Sequence, residues 1–485
     1  MVSVAIIGAG VAGLACAKSA LEYGLEPTVF ERAGEPGGLW RPASGSVWPA
    51  LTTNISRYTC VFSDHAWPPD TPEFPAAPAV AQYLLSYARR FDLTALIKAW
   101  CEVTSLAADG AGWKVGWTHR GQRFSRQFDA AIVASGYFAQ PIVPALDGRF
   151  DGISLHSGSY RGAGQLGGRR VVVVGMAFSG SEIAAELALA GSQVTGVASR
   201  PFWLLPKLVG PARIPLDLYS KTRAARRLAS AAPAAEAPAA ERHRNRNRLL
   251  SELGANPGEF DESLALDPDS ADPPHVVVSD ALSAPALPPD LSIVSGRVSR
   301  LDDSSVVLAD GRRLPADAIV WGTGYRPELS FLSGEVRRSV EYAPADLLQP
   351  LILVDGVFPA GIEGLSFVGM YRGPYFSGIE LQARWACAVI AGVLPPPSTS
   401  ESEQAINAAR GLRAQRPRPQ FPYDDLQLAD RIGRRLGVLP TEDSDSGEWY
   451  WNLPVVPAHY RMLGPHSSPD FARGQITEAV DRCRS

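Results

Sequence analysis

Val4–Gly13 reads VAIIGAGVAG, and the chain runs on through LACAKSALEYGLEPTVFE to Glu31. A short β-branched run is followed by glycines, then by apolar residues at helical spacing closed by Gly24, then by a second strand-like run. Strand, turn, helix, strand is the opening of a doubly wound α/β unit. In Gly8-Ala-Gly10-Val11-Ala12-Gly13 the first glycine permits a tight turn. The second lets the backbone approach a pyrophosphate, and the third lets the helix pack on the strand. The helix N-terminus then faces the anion. Glu31 ends the next strand, where a carboxylate takes a ribose 2′-hydroxyl. A carboxylate there repels a 2′-phosphate, so this first site suits FAD or NAD.

The same order recurs at RRVVVVGMAFSGSEIAAELALAGSQVTGVASR, Arg169–Arg200. Gly175 and Gly180 keep the first and third glycine positions, and Ala177 replaces the second. Phe178, Ser179, Ser181 and Glu182 open the helix. The second strand ends in Ser199-Arg200 in place of an acid, and the planar guanidinium of Arg200 matches a 2′-phosphate. This second site reads as NADPH. Two further stretches repeat one another: DAAIVASGYFAQP from Asp129 and DAIVWGTGYRP from Asp317. Each has an acid, a buried strand and a Gly-Tyr turn, and each is read as the strand that closes one nucleotide-binding unit. Two dinucleotide sites in one chain point to electron transfer from a nicotinamide to a flavin.

The remaining chain narrows the class. A length of 485 residues allows two or three domains, and 46% hydrophobic with 20% charged residues is ordinary globular composition. A net charge of −4 gives no electrostatic reason to expect nucleic acid. Cys16, Cys60, Cys101, Cys387 and Cys483 form no Cys-x-x-Cys pair and no zinc pattern. Cys16 has no partner near the first helix, which argues against a disulfide reductase and fits a reducing cytoplasm. No metal site is expected. Neither a basic leader nor a run of about 18 apolar residues occurs, so no membrane span is expected. Thr222–Arg248 is rich in Ala, Pro and Arg and reads as a surface insertion, partly helical or mobile, with a solvated basic face.

Ahead of the second unit stands FDGISLHSGSY, Phe150–Tyr160, which reads as the linker that positions NADPH relative to the flavin. Its spacing Phe150-x-Gly152-x-x-x-His156-x-x-x-Tyr160 resembles the fingerprint of the class B flavoprotein monooxygenases. Tyrosine at the last position resembles the flavin-containing monooxygenase branch, whereas tryptophan there would point to the Baeyer–Villiger branch. ERAGEPGGLW (31–40), LTTNISRYTCVFSD (51–64), WGTGYRP (321–327), GLSFVGMYRG (364–373), ELQARW (380–385) and YRMLGP (460–465) are similar to segments of that family. The likeness covers nearly the whole chain outside the insertion. Departures are Arg57, where lysine is commoner, and Trp321-Gly322 at the start of an Ala-Thr-Gly-Tyr motif.

The resemblance implies two Rossmann-like domains. The FAD domain is discontinuous (1–165 and 316–485), and the NADPH domain (166–315) is inserted. It places Arg32, Gly38, Leu39 and Trp40 in a flavin-side loop and makes Thr53, Val103 and Gln382 cofactor-binding. His156 belongs to the stretch that positions NADPH, Gly324 and Tyr325 are cofactor-binding, and Asn54 lies beside the flavin ring and the nicotinamide ribose. The implied activity is an NADPH- and O₂-dependent oxygenation in which reduced FAD forms a C4a-hydroperoxide and NADP⁺ stays bound. The terminal oxygen passes to a soft nucleophile, nitrogen or sulfur, of a small amine or thioether. Baeyer–Villiger oxidation of a ketone and a non-oxygenating NADPH/FAD redox protein are the alternatives. A homodimer is compatible with the sequence.

Overall fold

The structure is a computed structural model that describes every residue except 45, 223–237, 284–287, 374, 440–452 and 485. Two five-stranded parallel sheets organise it. The first runs, in spatial order, Leu365–Phe367, Ala130–Val133, Ser3–Ile7, Glu26–Phe30 and Ile97–Lys98. The second runs Ile153–His156, Ala318–Trp321, Arg170–Val174, Gln193–Ala198 and Leu291–Ser295. Helices Val11–Glu22 and Phe178–Leu189 are the first crossovers of the two sheets. Strands buried on both faces read as continuous apolar runs, which is why VAII and VVVV carry no alternation. No helix among the described residues is long and apolar enough to cross a membrane.

An antiparallel three-strand meander precedes the closing strand of each unit. It comprises Cys101–Asp109, Gly112–His119 and Gln122–Phe128 in the first, and Val298–Asp302, Ser305–Leu308 and Arg313–Pro315 in the second. The two acids that begin the repeated stretches then do the same work. Asp129 Oδ2 accepts the Ser3 N–H and hydroxyl, both at 2.7 Å, at the start of strand Ser3–Ile7. Asp317 accepts the Arg170 N–H at 3.0 Å and its guanidinium at 2.6 Å, at the start of strand Arg170–Val174.

The sequence-based boundaries shift in two places. Strand Ala318–Trp321 belongs to the second sheet, as the repeat implies, although a boundary at 316 would assign it to the first domain. Phe150–Tyr160 is more than a linker. Ile153–His156 is the edge strand of the second sheet, paired with Ala318–Trp321. Gly152 is needed at its start, because a Cβ there would sit 2.4 Å from the Asp317 carbonyl oxygen and 2.7 Å from the Phe150 ring.

Two further packing features frame the site. Helix Phe376–Ile390 packs on Val11–Glu22, and the fully buried Arg461 gathers Glu22, Asp64 and Glu380 by ion pairs of 3.0, 3.0 and 2.9 Å. Of the insertion, residues 223–237 lie outside the described residues. The rest begins helix Ala239–Leu253, which is anchored by buried Asn247. Asn247 accepts from Trp203 Nε1 at 2.9 Å and donates to the Ser270 and Asp272 carbonyls. That helix is not simply a solvated face, because His243, Arg246 and Leu249 line the central cleft.

Candidate active site

A continuous cleft of about 1700 Å³ runs between the two sheets and takes in both Gly-rich turns. Each turn stands at the C-terminal end of a central strand, where open α/β sheets take ligands. At the first turn Gly8 has φ +104, and a Cβ on it would meet the Ala134 carbonyl oxygen at 2.6 Å. Glu31 is buried and its two oxygens accept the Ala9 and Ala33 N–H groups, each at 2.8 Å. A carboxylate has four acceptor positions, so two remain for ribose hydroxyls. Across the turn, Gly37 N–H donates to the Ala9 carbonyl at 2.9 Å, and a Cβ on Gly38 would lie 2.9 Å from Gly10 Cα. Gly10 and Gly38 therefore face each other as bare backbone at a helix N-terminus, which fits a dinucleotide pyrophosphate. Val11, Ala12, Arg32, Leu39, Trp40 and Val103 complete this wall.

The second turn lines the opposite wall with Gly175, Ala177, Phe178, Ser179 and Glu182. Burial raises the Glu182 carboxyl against the lowering effect of Lys207, and its Oε1 has no partner among the described residues. Ser199 and exposed Arg200 lie at the end of the second strand, as expected. The sequence did not reveal what surrounds Arg200. Arg297, His275 and, from the other domain, Arg372 also line this end of the cleft. Burial and Arg297 lower the Arg200 guanidinium, and burial and Arg200 hold down that of Arg372. Burial, with Arg200, pushes His275 down to about 4. Mutually destabilised cations in one corner are the electrostatics of an anion site, and they fit a 2′-phosphate.

Asn54 and Thr53 line the cleft between these ends, with Trp40, Trp48, Leu51 and Phe376. The half-buried Asn54 side chain makes no hydrogen bond to any described residue, and Thr53 Oγ1 is buried without one. Their neighbours are tied. Thr53 N–H donates to the Pro75 carbonyl at 2.9 Å and Arg57 N–H to that of Glu73 at 2.7 Å. Trp48 Nε1 donates to Glu186 Oε2 at 2.6 Å, and its ring meets Tyr160 edge-on at 5.5 Å. Gly324 and Tyr325 line the cleft as well.

Five expected contacts stand behind the walls instead. Gly13 and Gly180 are under the turns, where a Cβ would meet the Gly8 and Gly175 carbonyl oxygens at 1.8 and 1.9 Å. Ser181 donates to the Met176 carbonyl at 3.1 Å. Gln382 is fully buried; it accepts from Gly369 N–H and donates to the Asp355 carbonyl, both at 3.0 Å, which fixes a cleft-lining glycine. His156 accepts from Gly158 N–H at Nδ1 and faces the Gly324 carbonyl with Nε2, each at 3.0 Å, with its ring edge-on to Tyr325 at 4.8 Å. Burial lowers its pKa, so the neutral ring with Nε2–H donating is the consistent tautomer. Both nitrogens being used, His156 holds the Gly324–Tyr325 turn and does not itself line the cleft.

Two Gly-rich turns facing one cleft, with an acid at the end of one second strand and arginines at the end of the other, fit an oxidoreductase that joins a flavin to NADPH. The chain belongs to the flavin-binding monooxygenase-like family, whose model matches residues 2–484. It is 30% identical over 513 residues to flavin-containing monooxygenase 5 of Rattus norvegicus, covering 99% of this chain and 92% of that one. It is 29% identical over 513 residues to flavin-containing monooxygenase 3 of Homo sapiens, with the same coverage. Among solved structures, S-allyl-L-cysteine S-oxygenase from Allium sativum superposes with a TM-score of 0.64 over 99% of both chains at 21% identity. An open structure of cyclohexanone monooxygenase gives 0.66 over 90% of this chain and 97% of that one, at 18% identity. At those identities the likeness is one of fold. The protein is an FAD- and NADPH-dependent monooxygenase acting with O₂ on a small molecule.

Proposed function

We propose that the protein transfers oxygen to nitrogen or sulfur of a small amine or thioether, and that Asn54 is the catalytic side chain. The observation that carries this reading is the contrast at Asn54: a carboxamide with no hydrogen-bond partner among the described residues, on a segment whose backbone is tied at Thr53 and Arg57, in a cleft walled by Trp40 and Trp48. When bound, FAD supplies the oxygen activation and NADPH the hydride. The chain itself supplies position, dryness and donors. Asn54 Nδ2 can donate to a developing oxyanion while Oδ1 accepts from a cofactor hydroxyl, which an ionised aspartate could not do. Tryptophan and leucine side chains keep water from that donor and so strengthen it. No protein acid–base pair is required for attack by a soft nucleophile, and His156 is not placed to act as one.

Purified protein should be screened against amines, thioethers and ketones, scored by NADPH consumption and product mass. Oxides or hydroxylamines are the expected products; esters from ketones, with amines and thioethers ignored, would assign Baeyer–Villiger chemistry instead. Asn54→Ala should still accept hydride from NADPH but release hydrogen peroxide in place of product. Loss of one preorganised donor costs on the order of 3–4 kcal/mol. Full coupling in that variant would remove Asn54 from the role.

A further inference from the structure

The segment that carries Asn54 is held from the NADPH-binding side of the molecule by a hairpin. Leu208–Val209 pairs antiparallel with Ile214–Pro215, and Leu216 N–H closes the base by donating to the Lys207 carbonyl at 2.9 Å. Lys207 and Asp217 therefore project from the two ends of one short hairpin. Lys207 Nζ donates to Thr52 Oγ1 at 2.7 Å. Asp217 Oδ2 accepts from Ser56 N–H at 3.1 Å, from the Ser56 hydroxyl at 2.8 Å, and from the Thr59 hydroxyl. Both side chains are buried. Thr52 and Ser56 lie two residues before and two residues after Asn54, so the hairpin grips the Asn54 turn on both flanks.

The hairpin is itself anchored in the second half of the molecule. Lys207 N–H donates to Asp280 Oδ1 at 2.8 Å, just after strand Trp203–Leu205, which pairs with Val276–Val278. The grip thus crosses from the domain that carries the arginine corner to the segment that carries the oxygen-side amide. Three donors converging on one carboxylate oxygen are stronger than neutral hydrogen bonds, and burial removes the competition from water.

We propose that Asp217 and Lys207 are positioning residues that fix the orientation of the Asn54 carboxamide, Asp217 being the stronger of the two. This rests on the catalytic reading of Asn54 above. Asp217 also lines the cleft, but its Oδ2 is taken up by Ser56 and Thr59, and the role proposed for both residues is exerted through the Thr52–Thr59 turn. The backbone bonds of Thr53 and Arg57 to 73–75 hold the other side of that turn, so removal of the hairpin contacts should loosen the turn without unfolding it.

The test compares wild type, Asp217→Asn, Lys207→Met, Asn54→Ala and the double variant Asn54→Ala/Asp217→Asn. Asp217→Asn should retain FAD and accept hydride from NADPH under anaerobic conditions within about twofold of wild type, because neither Gly-rich turn is touched. Its share of NADPH electrons lost as hydrogen peroxide should rise towards that of Asn54→Ala, and Lys207→Met should follow with a smaller rise. The double variant should leak no more than Asn54→Ala, since a residue that acts through another adds nothing once the other is gone. Independently of turnover, hydrogen exchange at the Ser56 amide in flavin-free protein should be at least about tenfold faster in Asp217→Asn. Unchanged coupling in Asp217→Asn beside a leaky Asn54→Ala overturns the positioning role and leaves Asn54 standing. A double variant leakier than Asn54→Ala shows that Asp217 acts independently, which also overturns it. A fully coupled Asn54→Ala instead removes the reading on which the proposal rests. Should Asp217→Asn fail to fold, Lys207→Met and Thr59→Val carry the same comparison.

Discussion

The two Gly-rich turns are built alike where the fold needs it and differ where a ligand does. Gly8 and Gly175 both have positive φ, and a Cβ on either would meet a carbonyl oxygen of its own closing strand or turn at 2.6 Å. Gly13 and Gly180 both press on the carbonyl of the turn's first glycine. Asp129 and Asp317 both hold the first residue of the central strand. The middle position is Gly10 in one and Ala177 in the other, and the second strand ends in Glu31 or in Arg200. Shared positions are therefore packing constraints, and the unshared ones are where the two sites would differ towards their cofactors.

The largest effect belongs to the shared third glycine. Gly13→Ala and Gly180→Ala each force a methyl to within 2 Å of a carbonyl oxygen, an overlap that backbone must move to relieve. Each should cost about 3 kcal/mol or more, at or beyond the upper end of ordinary overpacking. Gly13→Ala should yield little folded flavoprotein, and Gly180→Ala should be similarly damaged even before NADPH is added. Thermal unfolding of both variants checks it. A well-folded Gly180→Ala beside a collapsed Gly13→Ala would break the equivalence of the two turns.

The middle effect tests the unshared position. Arg200→Ala should raise the NADPH KM with little change for NADH, by about 1.5–3 kcal/mol, the scale of a hydrogen bond to a charged group. Arg297 and Arg372 share that corner, so the loss should sit towards the lower end. Steady-state kinetics with both cofactors measures it, and equal use of NADPH and NADH by wild type would show that Arg200 does not hold the phosphate.

These contrasts also show what a sequence can disclose. Both turns and the two Asp-led strands were legible, and Glu31 and Arg200 stand at the strand ends where the sequence puts them, because each depends on residues close in sequence and on a fixed period. Ile153–His156 was read as a linker because an edge strand of four residues leaves no alternation to detect. The arginine corner was missed at Arg297, Arg372 and His275, which belong to no shared motif and meet only in the folded chain. Asp217 is 161 residues from Ser56, and a buried carboxylate in a short helix gives no local sign of the turn it grips. His156 was placed near NADPH by resemblance, yet only coordinates show that both its nitrogens are spent on Gly158 and Gly324.

The smallest effect concerns the two capping acids, and it separates their otherwise matched roles. Asp317 holds a backbone N–H and a guanidinium, whereas Asp129 holds a backbone N–H and a hydroxyl. The hydrogen bonds from Arg170 depress the Asp317 carboxyl to about 2, and those from Ser3 lower that of Asp129. Asp129 is exposed and Asp317 half-buried with its side chain open to solvent, so solvent and salt screen most of the benefit, as at other surface ion pairs. Asparagine keeps an acceptor for the N–H in either place but cannot pair with Arg170. Asp317→Asn should therefore lower the urea midpoint at neutral pH slightly, and Asp129→Asn should lower it less. The pH dependence fixes the sign. A carboxyl depressed in the folded state is protonated first in the unfolded chain, so its contribution is complete above about pH 4 and lost as pH falls towards about 2. The gap between wild type and Asp317→Asn should accordingly be constant from pH 7 to about pH 5 and shrink below about pH 4. Added salt should shrink it at neutral pH as well. A gap that widens on acidification, or a larger loss in Asp129→Asn, would show that the two strand starts are held by different interactions from those seen at Ser3 and Arg170.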